Sequence, residues 1–165
     1  MSQATLTREE LIKRNLELVE AHFHNENPED VDKAIALYAD NIVWEAPSRG
    51  QVYTTAAEVR AAYMDIFRSV HFNKTTALHR FATEEYVFDD QIADVTLVGD
   101  YMPNMPFPVG TRMSVRISHI FQIRNNKIER EIAYEIWRKA DGECDHDSIP
   151  GGAHVEIFDA EACGT

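Results

Sequence analysis

The spacing of apolar residues changes period once, near Val70, and that change confines the chain to helices first and strands afterwards. Apolar residues recurring every three or four positions give a helix one buried stripe, whereas strict alternation gives a strand one buried face. Thr7-Arg8-Glu9-Glu10 reads as a capping box, and Ile12, Leu16, Val19 and Phe23 then predict a helix over roughly residues 8–25. Asn27-Pro28 predicts the opening of a second helix, with Val31, Ala34, Ile35 and Tyr38 inward. A short strand follows from Asn41 to Ala46, stopped by Pro47, and a third helix at about 56–68 places Val59, Ala62, Tyr63, Ile66 and Phe67 on one side. Beyond Val70 the alternation predicts strands at about 72–82, 86–98, 111–123 and 127–138. The segment Gly99–Gly110 carries Pro103, Pro106 and Pro108 and cannot pair as a central strand. Its Tyr101, Met102, Met105 and Phe107 make it a packed cover or a lid, with the flanking glycines as hinges.

Three helices, a short strand and a four-stranded meander describe an α+β domain over residues 1–140. The expected shape is a cone, a curved antiparallel sheet wrapped by the N-terminal helices, with an apolar pocket at its open end. Residues 141–165 form a polar tail that packs on the domain or on a partner subunit. The net charge of -12 argues against nucleic acid, whose phosphates are bound by clustered Lys and Arg, and against anionic membrane surfaces. No stretch approaches the ~20 apolar residues of a membrane span, and the N-terminus lacks a signal-peptide layout. With two cysteines, both in the tail, the expected location is the reducing cytoplasm. Cys144-Asp145-His146-Asp147, with His154 and Cys163, fits no zinc spacing, and no phosphate-cradling loop or dinucleotide fingerprint occurs. Neither a metal nor a cofactor is therefore expected.

Two stretches carry a family resemblance. Tyr38-Ala39-Asp40-Asn41-Ile42-Val43-Trp44-Glu45-Ala46-Pro47 resembles the Tyr-Ala-Asp-Asp, strand, Pro stretch of the SnoaL-like and ketosteroid-isomerase-like families of the NTF2-like superfamily. Ser118-His119-Ile120-Phe121-Gln122-Ile123-Arg124-Asn125-Asn126-Lys127-Ile128 is similar to the hairpin of the same families. The resemblance implies the conical fold, a small hydrophobic ligand and a homodimer paired through the convex sheet face. It is a poor guide to activity, because the scaffold hosts isomerases, cyclases, dehydratases, epoxide hydrolases and non-catalytic binders. The chain also departs from it. Ala46 stands where ketosteroid isomerases carry their proton-moving Asp, and Ala133 where epoxide hydrolases of the limonene type carry an Asp. His119 occupies the position of a pocket-facing Asp.

His119 is the lone ionisable group on the face formed by Met113, Val115, Ile117 and Phe121. Two readings of the following hairpin stay open. A three-residue loop sets His119 opposite Glu131 and brings Glu131, Glu135, Ala133 and Trp137 onto its face; a two-residue loop at Asn125-Asn126 sets it opposite Ile132. Under the first, His119 and Glu131 form a proton relay, with Glu135 as a further carboxylate. Otherwise His119 is a core histidine and the glutamates face solvent. Glu45 is catalytic only if it, rather than Trp44, points inward, and Asp94 only if its mid-strand carboxylate is buried. The expected pocket wall comprises Trp44, Tyr63, Phe67, Met105, Phe107, Phe121 and Trp137. Together these residues suit a cofactor-independent acid–base enzyme acting on a small hydrophobic molecule by isomerisation, dehydration, cyclisation or hydrolysis. The alternative is a non-catalytic binding or dimerisation module.

Overall fold

In the computed structural model, residues 6–141 are described. Helix α1 (Arg8–Asn25) opens with the capping box of Thr7 and Glu10, and α3 (Ala56–Ser69) opens with a second one, Thr55 and Glu58. Each box satisfies backbone N–H groups that a helix start leaves without partners. Between them, α2 is one short turn, Val31–Ile35. Asn27 does not cap it: its Oδ1 accepts from the N–H groups of Glu29 and Asp30, at 3.1 and 3.0 Å, and so closes a turn ahead of the helix.

The strands are β1 (Tyr38–Ala46), β2 (Gln51–Tyr53), β3 (Val70–Ala82), β4 (Tyr86–Leu97), β5 (Arg112–Arg124) and β6 (Lys127–Lys139). They form one curved six-stranded sheet in the order β2-β1-β6-β5-β4-β3, which does not close. The expectation of a purely antiparallel sheet is corrected at one place: β1 runs parallel to β6. Their connection is the whole chain from β2 to β5, long enough for the crossover that parallel neighbours require. Tyr38, read from its spacing as helical, instead begins β1 because it pairs with Ile128.

The concave face and the helices enclose the core. Val19, Ile42, Val59, Val87, Phe121 and Ile128 are fully buried there. Each such side chain contributes about 1.5–3 kcal/mol relative to exposure. A second apolar cluster of Val70, Val95, Leu97, Met102, Met113 and Val115 fills the other end of the sheet. Met105 and Phe107, half-buried, pack over that cluster. The segment that bears them is tied down by Ser69 Oγ, which accepts from the N–H groups of Tyr101 and Met102, and by Asn104 Nδ2 donating to Arg49 O at 2.7 Å. Gly99 packs closely on the end of α3, since a Cβ there would lie 2.5 Å from the carbonyl oxygen of Arg68.

The β5–β6 register differs from both expectations. Asn125 and Asn126 both take left-handed φ values, 50° and 60°, and make a two-residue turn with Arg124 opposite Lys127. A bulge then shifts the pairing beyond Gln122, so that Phe121 opposes Glu131 and His119 opposes Ala133. The bulge restores the parity that the short loop had reversed. Glu131, Ala133, Glu135 and Trp137 therefore share the concave face with His119, although His119 and Glu131 are not opposite one another. Residues 142–165, including both cysteines and the rest of the tail, lie outside the described residues.

Candidate active site

Alternation along β4 turns Val87, Asp89, Gln91, Ala93 and Val95 to the concave side, and the register sets Asp89 beside His119. Asp89 is fully buried. Its Oδ1 accepts from Arg80 Nε at 2.7 Å. Its Oδ2 has no hydrogen-bond partner and lies 3.6 Å from His119 Nδ1, while Gln91 Nε2 stands 3.5 Å from the same nitrogen. The imidazole stacks on Phe121 with centroids 5.7 Å apart and meets Phe23 edge-on at 5.2 Å. These contacts fix its plane. His119, Gln91 and Phe23 line an open cleft of about 1680 Å³ between α1 and the β3–β5 side of the sheet. Leu16, Phe67, Phe72 and Ile117 make much of the wall apolar.

Beneath Phe121 lies a second polar group, wholly buried. Tyr38 donates to Glu131 Oε2, Tyr63 donates to Glu131 Oε1 at 3.3 Å, and the two hydroxyls are 2.9 Å apart. His22 Nε2 stands 3.1 Å from Tyr63 Oη and 3.5 Å from Glu131 Oε2. Burial, then the Glu131 carboxylate, pushes both tyrosines well above the usual phenol range, so they remain donors. Burial also lowers His22, against the opposing pull of Glu131, and favours its neutral form.

The expected His119–Glu131 pair is thus replaced by two separate groups. His119 faces Asp89, whereas Glu131 faces two tyrosines and His22. Glu135 is inward but held by an ion pair: Arg49 donates to it from Nε and Nη2, both at 2.9 Å, and Trp137 Nε1 donates at 2.9 Å. Trp44 packs under Arg49, 5.7 Å from its guanidinium, and stacks on Tyr53. Asp94 and Glu45 are on the convex face. Arg112 and Asn73 hydrogen-bond to Asp94 and pull its carboxyl down to about 2, the mark of an exposed ion pair and not of a buried acid. Glu45 accepts from Arg130 Nε at 2.7 Å. Of the expected wall residues, Phe67 lines the cleft, Trp137 lines a smaller cavity, and Trp44, Tyr63 and Phe121 are buried below. Met105 and Phe107 cover the second apolar cluster and line neither cavity.

A family model described as a SnoaL-like domain matches residues 19–131. The chain belongs to this family. No curated protein matches the SnoaL-like chain in sequence. Solved structures share its fold at low identity. An NTF2-like protein from Burkholderia xenovorans is 15% identical with a TM-score of 0.63, over 76% of this chain and 91% of that one. An LEH-like epoxide hydrolase from M. tuberculosis is 15% identical with a TM-score of 0.58, over 76% and 84%. A protein from Catenulispora acidiphila with a ketosteroid isomerase-like fold, in complex with trimethylamine, is 14% identical with a TM-score of 0.58, over 72% and 84%.

Several residues of this SnoaL-like site escape a reading of the sequence. His22 continues the helical stripe at three residues from Val19, and Glu26 lies one further turn on. Asp89 is signalled by the alternation of Val87, Gln91 and Ala93, but adjacent Asp90 obscures which of the two faces in. Arg49 follows Pro47 in a 3-10 turn that no apolar period announces. Among the described residues, no helix is long and apolar enough to cross a membrane.

Proposed function

We propose that the protein is an acid–base enzyme that moves a proton on a small hydrophobic molecule held in the cleft, with His119 as the proton-transferring group. One observation carries this: His119 is on the wall of an apolar cleft, and the carboxylate oxygen of buried Asp89 that has no hydrogen-bond partner lies 3.6 Å from its Nδ1. A carboxylate there favours a proton on Nδ1 over acceptance from Gln91 Nε2, and in that tautomer Nε2 keeps its lone pair and accepts a proton from the ligand. Asp89 then stabilises the imidazolium until the proton returns to another atom. Phe121 and Phe23 keep the ring in plane, and Arg80 orients Asp89 by donating from Nε to its Oδ1. Proton removal and return accomplish isomerisation, dehydration or cyclisation, and the same base activates water for hydrolysis; none of these needs a metal or an organic cofactor. The LEH-like epoxide hydrolase and the trimethylamine-bound relative support small-molecule work on this scaffold by analogy of fold alone.

A binding module is the second reading. It is favoured by the aromatic packing around His119 and by the engagement of Asp89 with Arg80. A turnover screen over apolar ketones, epoxides, alkenols and polyketide-like phenols separates the two. With a substrate in hand, His119→Ala is expected to lose about 10²–10⁴-fold in kcat while its circular dichroism spectrum stays native. Ligand binding with no turnover by the unmodified protein, or full turnover by folded His119→Ala, overturns the catalytic reading.

A further inference from the structure

Glu26 is the residue at which α1 stops. Its φ of −78° and ψ of 67° leave the helix, and its N–H still donates to Phe23 O at 3.2 Å, so the chain turns there, with the side chain 24% exposed on the cleft. His22, one turn earlier, stands 3.9 Å from its carboxylate. Glu26 lines the wide cleft and also lines the smaller cavity of about 50 Å³ beside it. Val70, Phe72 and Ile117 share that position, so these four residues stand at the boundary between the two spaces. The smaller chamber is otherwise walled by apolar side chains, by Trp137 and by Glu135, whose carboxylate already belongs to Arg49.

We propose that Glu26 is a second ligand-contacting group of the cleft, donating a hydrogen bond to the carbonyl or hydroxyl oxygen of a neutral, largely apolar ligand whose adjoining methyl-sized group enters the chamber. This rests on the reading of the cleft as a small-molecule site. Three features make the carboxyl a donor. It sits at a helix C-terminus, where the unsatisfied carbonyls disfavour negative charge. Burial, with Glu131 and Asp89 nearby, raises it well above the ordinary carboxylate range. Its neighbour His22 is held toward the neutral form and offers it no cation. A neutral acid at the boundary of the cleft and a small, mostly apolar chamber selects an oxygen acceptor flanked by a short alkyl group, as in a methyl ketone. With His119 on the same cleft, the two groups can act on two atoms of one ligand.

The test uses the full chain and two probes of matched shape, 2-acetylnaphthalene and 2-ethylnaphthalene, which differ in one acceptor oxygen. Binding of 2-ethylnaphthalene examines the cleft alone; the preference between the probes examines Glu26. The unmodified protein is expected to bind the ketone about five- to tenfold more tightly than the hydrocarbon. Glu26→Gln, still a donor, should retain most of that preference, and Glu26→Leu should erase it. As a readout independent of the Leu variant's folding, the infrared band of the protonated Glu26 carboxyl, identified as the band lost in Glu26→Gln, should shift when the ketone is added and not when the hydrocarbon is. If the hydrocarbon binds and the ketone binds no better, or the band does not move, the role of Glu26 is overturned while the cleft reading stands. If neither probe binds, both fall.

Discussion

Arg49 and Glu135 offer the most exposing test of the site's construction. Their side chains are only 2% and 8% exposed, and the guanidinium meets the carboxylate through two nitrogens. Arg49→Met removes the cation and leaves Glu135 with Trp137 Nε1 at 2.9 Å and Ser48 Oγ at 3.3 Å, two neutral donors around a charge with no counter-ion. Breaking a buried pair from one side costs about 3–5 kcal/mol, because the remaining charge stays desolvated. For a domain of this size that lowers Tm by about 10 °C. Glu135→Leu strands Arg49 in the same way. The double variant removes both charges and is expected to cost less than either single one, a coupling of at least about 2 kcal/mol in a double-mutant cycle. Urea unfolding followed by far-ultraviolet circular dichroism suits the measurement, since Trp44 and Trp137 touch the pair and would confuse fluorescence. Single variants that cost under about 1 kcal/mol, and a double variant equal to their sum, would refute the reasoning. Loss of turnover by Glu135→Gln at unchanged stability would instead return Glu135 to catalysis.

Further outcomes are open to measurement. Burial and the neighbouring Glu131 and Asp89 raise Glu26 above its ordinary 4.5, so the folded protein holds a proton that the unfolded chain releases. That contribution is complete below about pH 4.5 and is lost as pH rises through the raised value; Glu26→Gln should flatten this part of the stability profile, and superimposable urea midpoints across the range would contradict it. Tyr134 and Ile136 are 48% and 59% exposed on the convex face, and a homodimer through that face is the expected solution state. Light scattering should give twice the chain mass and fall to one chain mass in Ile136→Glu; a monomeric unmodified protein defeats the expectation. Asp94→Asn and Glu45→Gln, both changes in convex-face ion pairs, should leave turnover within about twofold, and a larger loss would move the site to that face.

The first and third helices were legible because each rests on local information, whereas α2 shrank to Val31–Ile35 because Asn27 closes a turn instead of capping it. α1 has its box at Thr7 and its stripe from Ile12 to Phe23, and the structure reproduces its span. The long strands were legible for the same reason, since alternation is a property of neighbouring residues. What escaped depends on pairing across the chain. Tyr38 belongs to β1 because of Ile128, and β2 is three residues long, too short to show a period. The turn at Asn125-Asn126 follows from the tolerance of Asn for left-handed φ, but the bulge beyond it leaves no compositional mark. The candidate site divides likewise. His119 stood out as one imidazole on an apolar face, whereas the partners of Glu131 come from α1, β1 and α3, three elements that only the fold assembles.

The bulge in β6 behaves like a single inserted letter that corrects a shifted reading frame. The two-residue turn alone would send Glu131, Glu135 and Trp137 outward and draw Tyr134, Ile136 and Arg138 into the core; the extra residue near Glu129 reverses that assignment for the rest of the strand. A deletion of one residue there would therefore turn the rest of β6 over, sending Glu131, Glu135 and Trp137 outward and Tyr134 and Ile136 inward. A length change in this hairpin keeps the inward face of β6 only if a second change compensates it, and the turn itself admits only residues that tolerate the left-handed φ of Asn125 and Asn126.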